Sequence, residues 1–251
     1  MRLIKEKIKN VLGFSKFLLS RAYKPGQASI LMYHSVGNNE AFFTVKPEEF
    51  NKQIEFLVRN KYNIISLQNL AQTLKNEKNI KKKTIILTFD DGYKDNYINV
   101  FPILKKYDLP ATIFIATDYV GKTMKNSKGV EISMLNWAEI TDMSKSGLVE
   151  FGCHTASHRK LDLLVEEEIA REFSSSQNLI KEKLGKACDL LAYPYGKYNE
   201  KVLASAKEFF SAGVTVAEGN IGKRADILRL PRLAITSRTT WGQFLGKISG
   251  R

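Results

Sequence analysis

The 251-residue chain contains only three histidines, two cysteines and six prolines. Cys153 and Cys188 do not follow a metal-binding spacing, so we expect two small buried residues rather than a disulfide. No apolar run approaches the roughly 20 residues that a membrane-spanning helix needs. Lysines interrupt the apolar residues near the N terminus, and a secretory signal peptide is therefore not expected. We expect the protein to be cytoplasmic or peripheral on the inner face of the membrane.

Acidic residues are too few to balance the basic ones, since 26 Asp and Glu face 39 Lys and Arg and the formal net charge is +13. Residues 1–24 carry seven Lys or Arg and a single Glu, with apolar residues at helical spacing between them. This pattern predicts a basic amphipathic helix over residues 1–26. Such a helix either associates with an anionic membrane or packs on the rest of the chain. No nucleic-acid partner is expected.

Glycine-rich phosphate or dinucleotide fingerprints are missing after every predicted strand, which disfavours an open doubly wound sheet. Short apolar strands instead alternate with helices over residues 27–251. We therefore expect a single α/β domain there, a distorted (β/α) barrel of about seven strands. In such barrels the active site is assembled at the carboxyl ends of the strands.

Local signals refine this expectation at three places. A helix is predicted from about Asn96 to Lys106, between two strands. Residues 118–135 are polar and contain two glycines, which predicts an elaborated loop. Asn136 with Glu139 three positions later predicts a capping box for the helix that follows.

Two carboxylates end a predicted buried strand, because Asp90 and Asp91 directly follow the apolar run 84–89. A turn or a helix cap is the simpler explanation of Asp-Asp-Gly in general. That explanation does not account for acids at the end of a buried strand. We expect one acid to bind a metal and the other to stay unligated as a general base.

All three histidines also follow predicted strands, or lie in the loop just after one: His34, His154 and His158. Two imidazoles and one carboxylate make a three-ligand site that leaves a position open for water, as catalytic zinc requires. A His-x3-His pair alone is weak support for a metal. Its combination with a double acid at another strand end favours one.

Three segments, in chain order, resemble the first three motifs of the polysaccharide deacetylase (NodB-homology) family of carbohydrate esterases: 89–92 (FDDG), 154–158 (HTASH) and 193–196 (YPYG). The similarity extends from about residue 29 to residue 236. It implies a distorted β/α barrel that removes N- or O-acetyl groups from sugars. The implied substrate is an N-acetylated glycan, either a polymer or a lipid-linked sugar.

The resemblance also implies roles for individual residues. Asp90 would be the general base. The ligands of a divalent metal, Zn in the first place and otherwise Ni, Co or Fe, would be Asp91, His154 and His158. Pro194 and Tyr195 would bind the substrate, with a backbone N–H near Tyr195 holding the oxyanion and the tyrosine ring lying against the sugar.

The chain departs from the family pattern at two points. Ala192 stands where the commoner third motif has an arginine that orients the base, and no histidine follows His158. Both departures resemble the branch of poly-N-acetylglucosamine deacetylases, in which the segment 32–34 (MYH) corresponds to the motif that supplies the general acid.

On that basis His34 would protonate the departing amine, and Arg229 or Arg232 would orient Asp90. The alternative for His34 is a hydrogen bond to the sheet end without a catalytic role. Two other functions stay open: a non-catalytic carbohydrate-binding descendant of the fold, and a mononuclear iron oxygenase that uses the His/His/Asp site.

Overall fold

The computed structural model describes residues 11–13, 15, 26–125 and 129–249. The helix predicted over residues 1–26 lies almost entirely outside these residues. Within them, no helix is both long enough and apolar enough to cross a membrane.

The strands of the described residues are numbered in chain order: β1 (Gln27–Tyr33), β2 (Asn63–Ile64), β3 (Thr84–Phe89), β4 (Ala111–Ile115), β5 (Thr123–Lys125), β6 (Glu131–Ser133), β7 (Val149–Cys153), β8 (Leu190–Ala192), β9 (Ala212–Val214), β10 (Ile221–Gly222) and β11 (Leu233–Ala234). The α-helices are α1 (Pro47–Arg59), α2 (Leu67–Lys75), α3 (Phe101–Tyr107), α4 (Trp137–Lys145), α5 (Glu166–Leu184), α6 (Glu200–Phe209) and α7 (Trp241–Lys247).

Parallel pairing runs through the row β1, β3, β4, β7, β8 and β9. β11 pairs in parallel with β1, and Leu230 just before it forms a parallel bridge to Val214 of β9. The segment 230–234 therefore connects the two ends of the row. Seven parallel strands curl into a single α/β domain, and the expected distorted (β/α) barrel is confirmed.

Alternation along each strand separates two apolar layers. On β3, Ile85 and Leu87 pack with the surrounding helices, whereas Ile86 packs inside the curled sheet. Buried leucines of α2 belong to the same inner cluster, and Glu150 of β7 accepts a hydrogen bond from the N–H of Gln68 at the start of this helix (3.1 Å). Because Glu150 lies near the amino end of β7, α2 covers that end of the barrel.

The three local predictions have different outcomes. Asn136 and Glu139 form the predicted capping box, with both reciprocal hydrogen bonds at 2.9 Å. The helix predicted from Asn96 begins with a π-helical turn, Asn96–Val100, before α3. The region 118–135 is more regular than a loop, because β5 and β6 pair there as an antiparallel hairpin.

Candidate active site

The double acid lies at the carboxyl end of β3, inside the barrel. Asp90 continues the inner face that holds Ile86 and Thr88, and its N–H donates to the carbonyl of Tyr33 on β1 (3.0 Å). The backbone then turns sharply, because Asp91 and Gly92 have φ values of 73° and 81°. A Cβ on Gly92 would lie 2.8 Å from a methyl carbon of Ile115, so the turn needs glycine at this position. The turn sends the two neighbouring carboxylates to different places.

Asp91 converges with the two histidines that follow β7. Its Oδ1 lies 3.3 Å from Nε2 of His154 and 3.3 Å from Nε2 of His158. The two Nε2 atoms are 3.2 Å apart. The structure therefore brings together the three residues that the sequence singled out as metal ligands, and all three are buried or nearly so.

The donor set fits a divalent cation. His154 Nδ1 lies 2.7 Å from the carbonyl oxygen of Ala192, which can only accept, so the ring proton is on Nδ1 and the lone pair of Nε2 faces the other two groups. Three ligand atoms with their lone pairs converging repel one another unless a cation lies between them. Carboxylate oxygen and imidazole nitrogen are ligands that zinc and its neighbours in the series accept.

The pKa values of the cluster show the same electrostatic pattern. Burial alone would raise the pKa of Asp91, but its contacts with His154 and His158 hold it well below its ordinary value. Burial would lower the pKa of His154, yet the contact with Asp91 and the charges of both acids raise it. The protein thus stabilises positive charge at this point of the barrel.

Arg232 holds the other carboxylate. Its Nη1 and Nη2 donate to Oδ1 and Oδ2 of Asp90 at 2.6 and 2.7 Å, a bidentate pair. Nε donates to the carbonyl of Thr215 (2.8 Å), and Nη1 also reaches Oγ1 of Thr88 (3.2 Å). Arg232 is fully buried. Burial would raise the pKa of Asp90, but the Arg232 charge and hydrogen bonds lower it, so Asp90 is ionised at neutral pH.

The second arginine candidate lies elsewhere. Arg229 donates from Nε to Oδ2 of Asp226 (2.7 Å), and both side chains are about half exposed. Of the two arginines proposed from the sequence, Arg232 is therefore the one that contacts Asp90. It enters from the segment that closes the barrel, whereas Ala192, at the expected arginine position, is on β8.

His34 follows β1 and lines the same cleft as the acids and the other histidines. Its buried Nδ1 has no hydrogen-bond partner among the described residues. The π-helical turn after β3 fixes its backbone, because Nδ2 of Asn96 donates to the His34 carbonyl (2.9 Å). Asp95 accepts from the N–H of Val36 (3.1 Å) and from the Ser35 hydroxyl. The strand end that carries the acids thus also positions the histidine.

Aromatic residues form the walls of a cleft of about 530 Å³ above these groups. Phe42 is 53% exposed and packs edge-on against Phe43, and its carbonyl accepts hydrogen bonds from the N–H and the hydroxyl of Ser237 (3.1 and 2.8 Å). Tyr195 is 56% exposed and comes from the loop after β8. Because β1 and β8 are four places apart in the parallel row, the two rings approach the site from different sides.

The YPYG turn presents Tyr195 in an unusual backbone conformation. Tyr195 and Gly196 have φ values of 57° and 64°. A Cβ on Gly196 would lie 2.2 Å from a Val216 methyl carbon, so glycine is required there. Pro194, which the sequence assigned to substrate binding, is buried in the turn, and its visible role is to shape the backbone before Tyr195.

Residues 77–217, which include all three sequence motifs, match the family model for polysaccharide deacetylase. The chain belongs to the polysaccharide deacetylase family, as the sequence motifs indicated.

Relatives of the chain come from several bacteria. It is 29% identical over 214 residues to the Bacillus subtilis protein YxkH, covering 85% of this chain and 73% of YxkH. Identity to the poly-β-1,6-N-acetyl-D-glucosamine N-deacetylase of Staphylococcus aureus is 28% over 238 residues, covering 85% and 80%. Among solved structures, IcaB from Ammonifex degensii superposes with a TM-score of 0.80 at 25% identity, covering 89% of this chain and 97% of IcaB. The Streptococcus pyogenes deacetylase PplD, in complex with acetate, gives a TM-score of 0.79 at 27% identity, covering 90% and 99%.

Proposed function

We propose that the protein is a metal-dependent N-deacetylase that hydrolyses the acetamido group of amino-sugar residues in a glycan. One observation supports this most strongly: an ionised carboxylate, Asp90, is fixed by Arg232 in the same cleft as three side chains that can ligate a metal. A general base next to a Lewis-acid site is the arrangement that amide hydrolysis needs. The names of the relatives support the same reaction class.

Asp91, His154 and His158 are the residues that hold the metal in this proposal. Held by these residues, a divalent cation would lower the pKa of a water molecule to about 7 and would polarise a carbonyl oxygen. Zinc is the first candidate, with Ni, Co and Fe as alternatives.

Asp90 accepts the proton of the attacking water. Both of its oxygens are fixed by Arg232, which prevents rotation of the carboxylate away from the cleft. The same pairing keeps Asp90 unprotonated and available as a base. The backbone N–H near Tyr195 donates to the oxygen that gains negative charge when the carbonyl is attacked.

His34 acts as the general acid in this scheme. Breaking the C–N bond requires a proton on the departing nitrogen, because a free amide anion is a poor leaving group. His34 lines the cleft and is held on the side of β1, across the barrel from β8 and Tyr195. The base and the acid thus come from neighbouring strands, β3 and β1.

The substrate proposal is an N-acetylglucosamine polymer or a lipid-linked glycan with the same sugar. Exposed rings such as Phe42 and Tyr195 offer apolar surfaces on which the C–H face of a sugar ring packs. The S. aureus relative is named for poly-β-1,6-N-acetyl-D-glucosamine. Association of residues 1–24 with an anionic membrane at the inner face is a further prediction from the sequence.

Acetate release tests the proposal. The purified chain, loaded with zinc, is incubated with β-1,6-linked and β-1,4-linked N-acetylglucosamine oligomers and with lipid-linked N-acetylated glycans, and acetate is quantified. We expect release from at least one of these substrates, and its loss after chelation and recovery after zinc is added back. If no acetate appears from any of them with a fully loaded protein, the proposed function is wrong.

A further inference from the structure

The loop between the two histidine ligands contains backbone conformations that are energetically unfavourable. Thr155 and His158 both have left-handed conformations, with φ values of 63° and 57°. Such a conformation at a residue other than glycine costs on the order of 1–3 kcal/mol and persists only when the surroundings enforce it. Here the second strained residue is itself one of the ligands, so whatever enforces the loop also sets the position of its imidazole.

The side chain of Glu172, on α5, binds this loop through hydrogen bonds. Its Oε2 accepts hydrogen bonds from two successive backbone N–H groups, those of Ala156 (3.0 Å) and Ser157 (2.8 Å). Its Oε1 accepts from the Ser157 hydroxyl. The Glu172 carboxylate therefore binds the middle of the loop, at residues that lie between the two histidine ligands in the sequence.

The loop closes around this contact. Oγ1 of Thr155 accepts from the N–H of His158 (3.0 Å), and the carbonyls of Thr155 and Ala156 accept from the N–H groups of Thr117 and Asp118 (3.2 and 2.9 Å). The first of these bonds lies within the loop, and the other two come from the segment just after the neighbouring strand β4. Glu172 is the contact from the helix side, and it supplies three of the hydrogen bonds.

Glu172 has no evident role other than this one. It is buried, and within the described part of the chain no ion pair includes it. A buried carboxylate costs free energy unless hydrogen bonds compensate it. The donors that compensate it belong to the loop, and hydrogen bonds to a charged acceptor are roughly twice as strong as neutral ones.

We propose that Glu172 is a positioning residue for the metal cluster: it holds the 154–158 loop so that His154 and His158 converge on Asp91. The proposal rests on the metal site of the proposed function. Because a supporting residue outside the ligand set typically changes metal affinity by about 10- to 100-fold when it is lost, the effect is measurable without any substrate.

Zinc affinity, measured by competition with a chromophoric chelator, is the test. Glu172→Met keeps the bulk of the side chain and removes all three acceptor contacts, so affinity should fall by about 10- to 100-fold. Glu172→Gln can restore the contacts, with its amide oxygen accepting from both N–H groups and its NH2 donating to Ser157. Those bonds are neutral and weaker, so we expect a loss of about 2- to 10-fold. Glu167→Met, the same change at an exposed position of the same helix, should leave the affinity unchanged.

Urea unfolding of the metal-free variants separates positioning from general stability. If Glu172→Met is less stable but binds zinc like the wild type, Glu172 is merely structural and the proposal is overturned. Should Glu172→Met fail to fold, Glu172→Gln decides the question, and wild-type affinity in that variant overturns it equally. Zinc binding that depends on Glu172, in a chain that releases no acetate from any glycan, would refute the proposed function and leave this inference standing.

Discussion

Removal of the Arg232 guanidinium would leave Asp90 charged, buried and unpaired. Arg232→Met retains much of the side-chain volume but deletes both hydrogen bonds to Asp90 and those to Thr88 and Thr215. Breaking a buried pair by removing one partner costs about 3–5 kcal/mol. In a chain of this size about 1 kcal/mol corresponds to roughly 2–4 °C in Tm, so the midpoint should fall by about 6–20 °C.

Turnover in the proposed deacetylation should fall as well. Without the bidentate contact, the carboxylate of Asp90 rotates and its pKa rises, because the charge that lowers the pKa is gone. Misplacement of a reacting group by about 1 Å can cost on the order of 100-fold in rate, and we expect a loss in turnover of at least that size. Arg232→Lys keeps one charge but not the two-pronged geometry, so its turnover should be intermediate.

Two comparisons make this prediction refutable. Arg229→Met, a matched change at the half-exposed partner of Asp226, should alter the free energy of unfolding by no more than about 0.5 kcal/mol. The double variant Asp90→Asn/Arg232→Met should regain much of the lost stability, because no unpaired buried charge remains. Thermal and urea unfolding measure the stability of Arg229→Met and of the double variant. If Arg232→Met and Arg229→Met have equal effects on stability and on turnover, the role given to Arg232 is refuted.

Three further predictions concern the remaining parts of the site. His154→Ala removes one of three ligands, so zinc bound per chain, measured by elemental analysis after dialysis, should fall far below one; full occupancy would contradict the ligand assignment. His34→Gln should slow N-deacetylation about 100-fold or more. It should barely affect hydrolysis of 4-nitrophenyl acetate, because the nitrophenolate leaving group needs no proton. Equal losses of rate on both substrates would exclude the role of His34 as general acid. Phe42→Ala should raise KM for a long oligomer about tenfold with a smaller change in kcat, since about 1.4 kcal/mol of ring contact is lost; an unchanged KM would exclude the ring from substrate binding.

The location of the site was predictable from the sequence, because it depends on strong local signals. An apolar strand that ends on Asp90 and Asp91, and histidines after other strands, need only the rule that barrel sites lie at the carboxyl ends of strands. The capping box at Asn136 and Glu139 was predictable for the same reason, since both partners lie within one helical turn.

The choice between Arg229 and Arg232 could not be made from the motif pattern, because it depends on which residues face inward at β11. One local signal was available. Arg229 lies three residues after Asp226 and pairs with it, whereas no acid lies between Leu228 and Thr240 to pair locally with Arg232. An arginine that lies near a barrel strand and has no acidic partner close in the sequence is the better candidate for pairing with an acid that is distant in the sequence.

Glu172 was missed because it lies in a helix rich in glutamate. Its position does carry a signal: it shares the buried face of α5 with Ile169, Phe173, Ser176 and Ile180. A carboxylate on the apolar stripe of an amphipathic helix must find buried hydrogen-bond donors. Which donors these are depends on how α5 packs against the loop after β7, and the sequence alone does not define that packing.

In the proposed site Asp90 accepts a proton from the attacking water, whereas Asp91, His154 and His158 hold the metal. This division of roles is tested most directly in Asp90→Asn by measuring bound zinc and acetate release on the same sample. The two side chains are nearly isosteric, and Asp90 is not among the three converging ligands. We predict one zinc per chain, as in the wild type, with acetate release from N-acetylglucosamine oligomers reduced at least 100-fold. Acetate release near the wild-type rate, or loss of the zinc together with the activity, would contradict this division of roles.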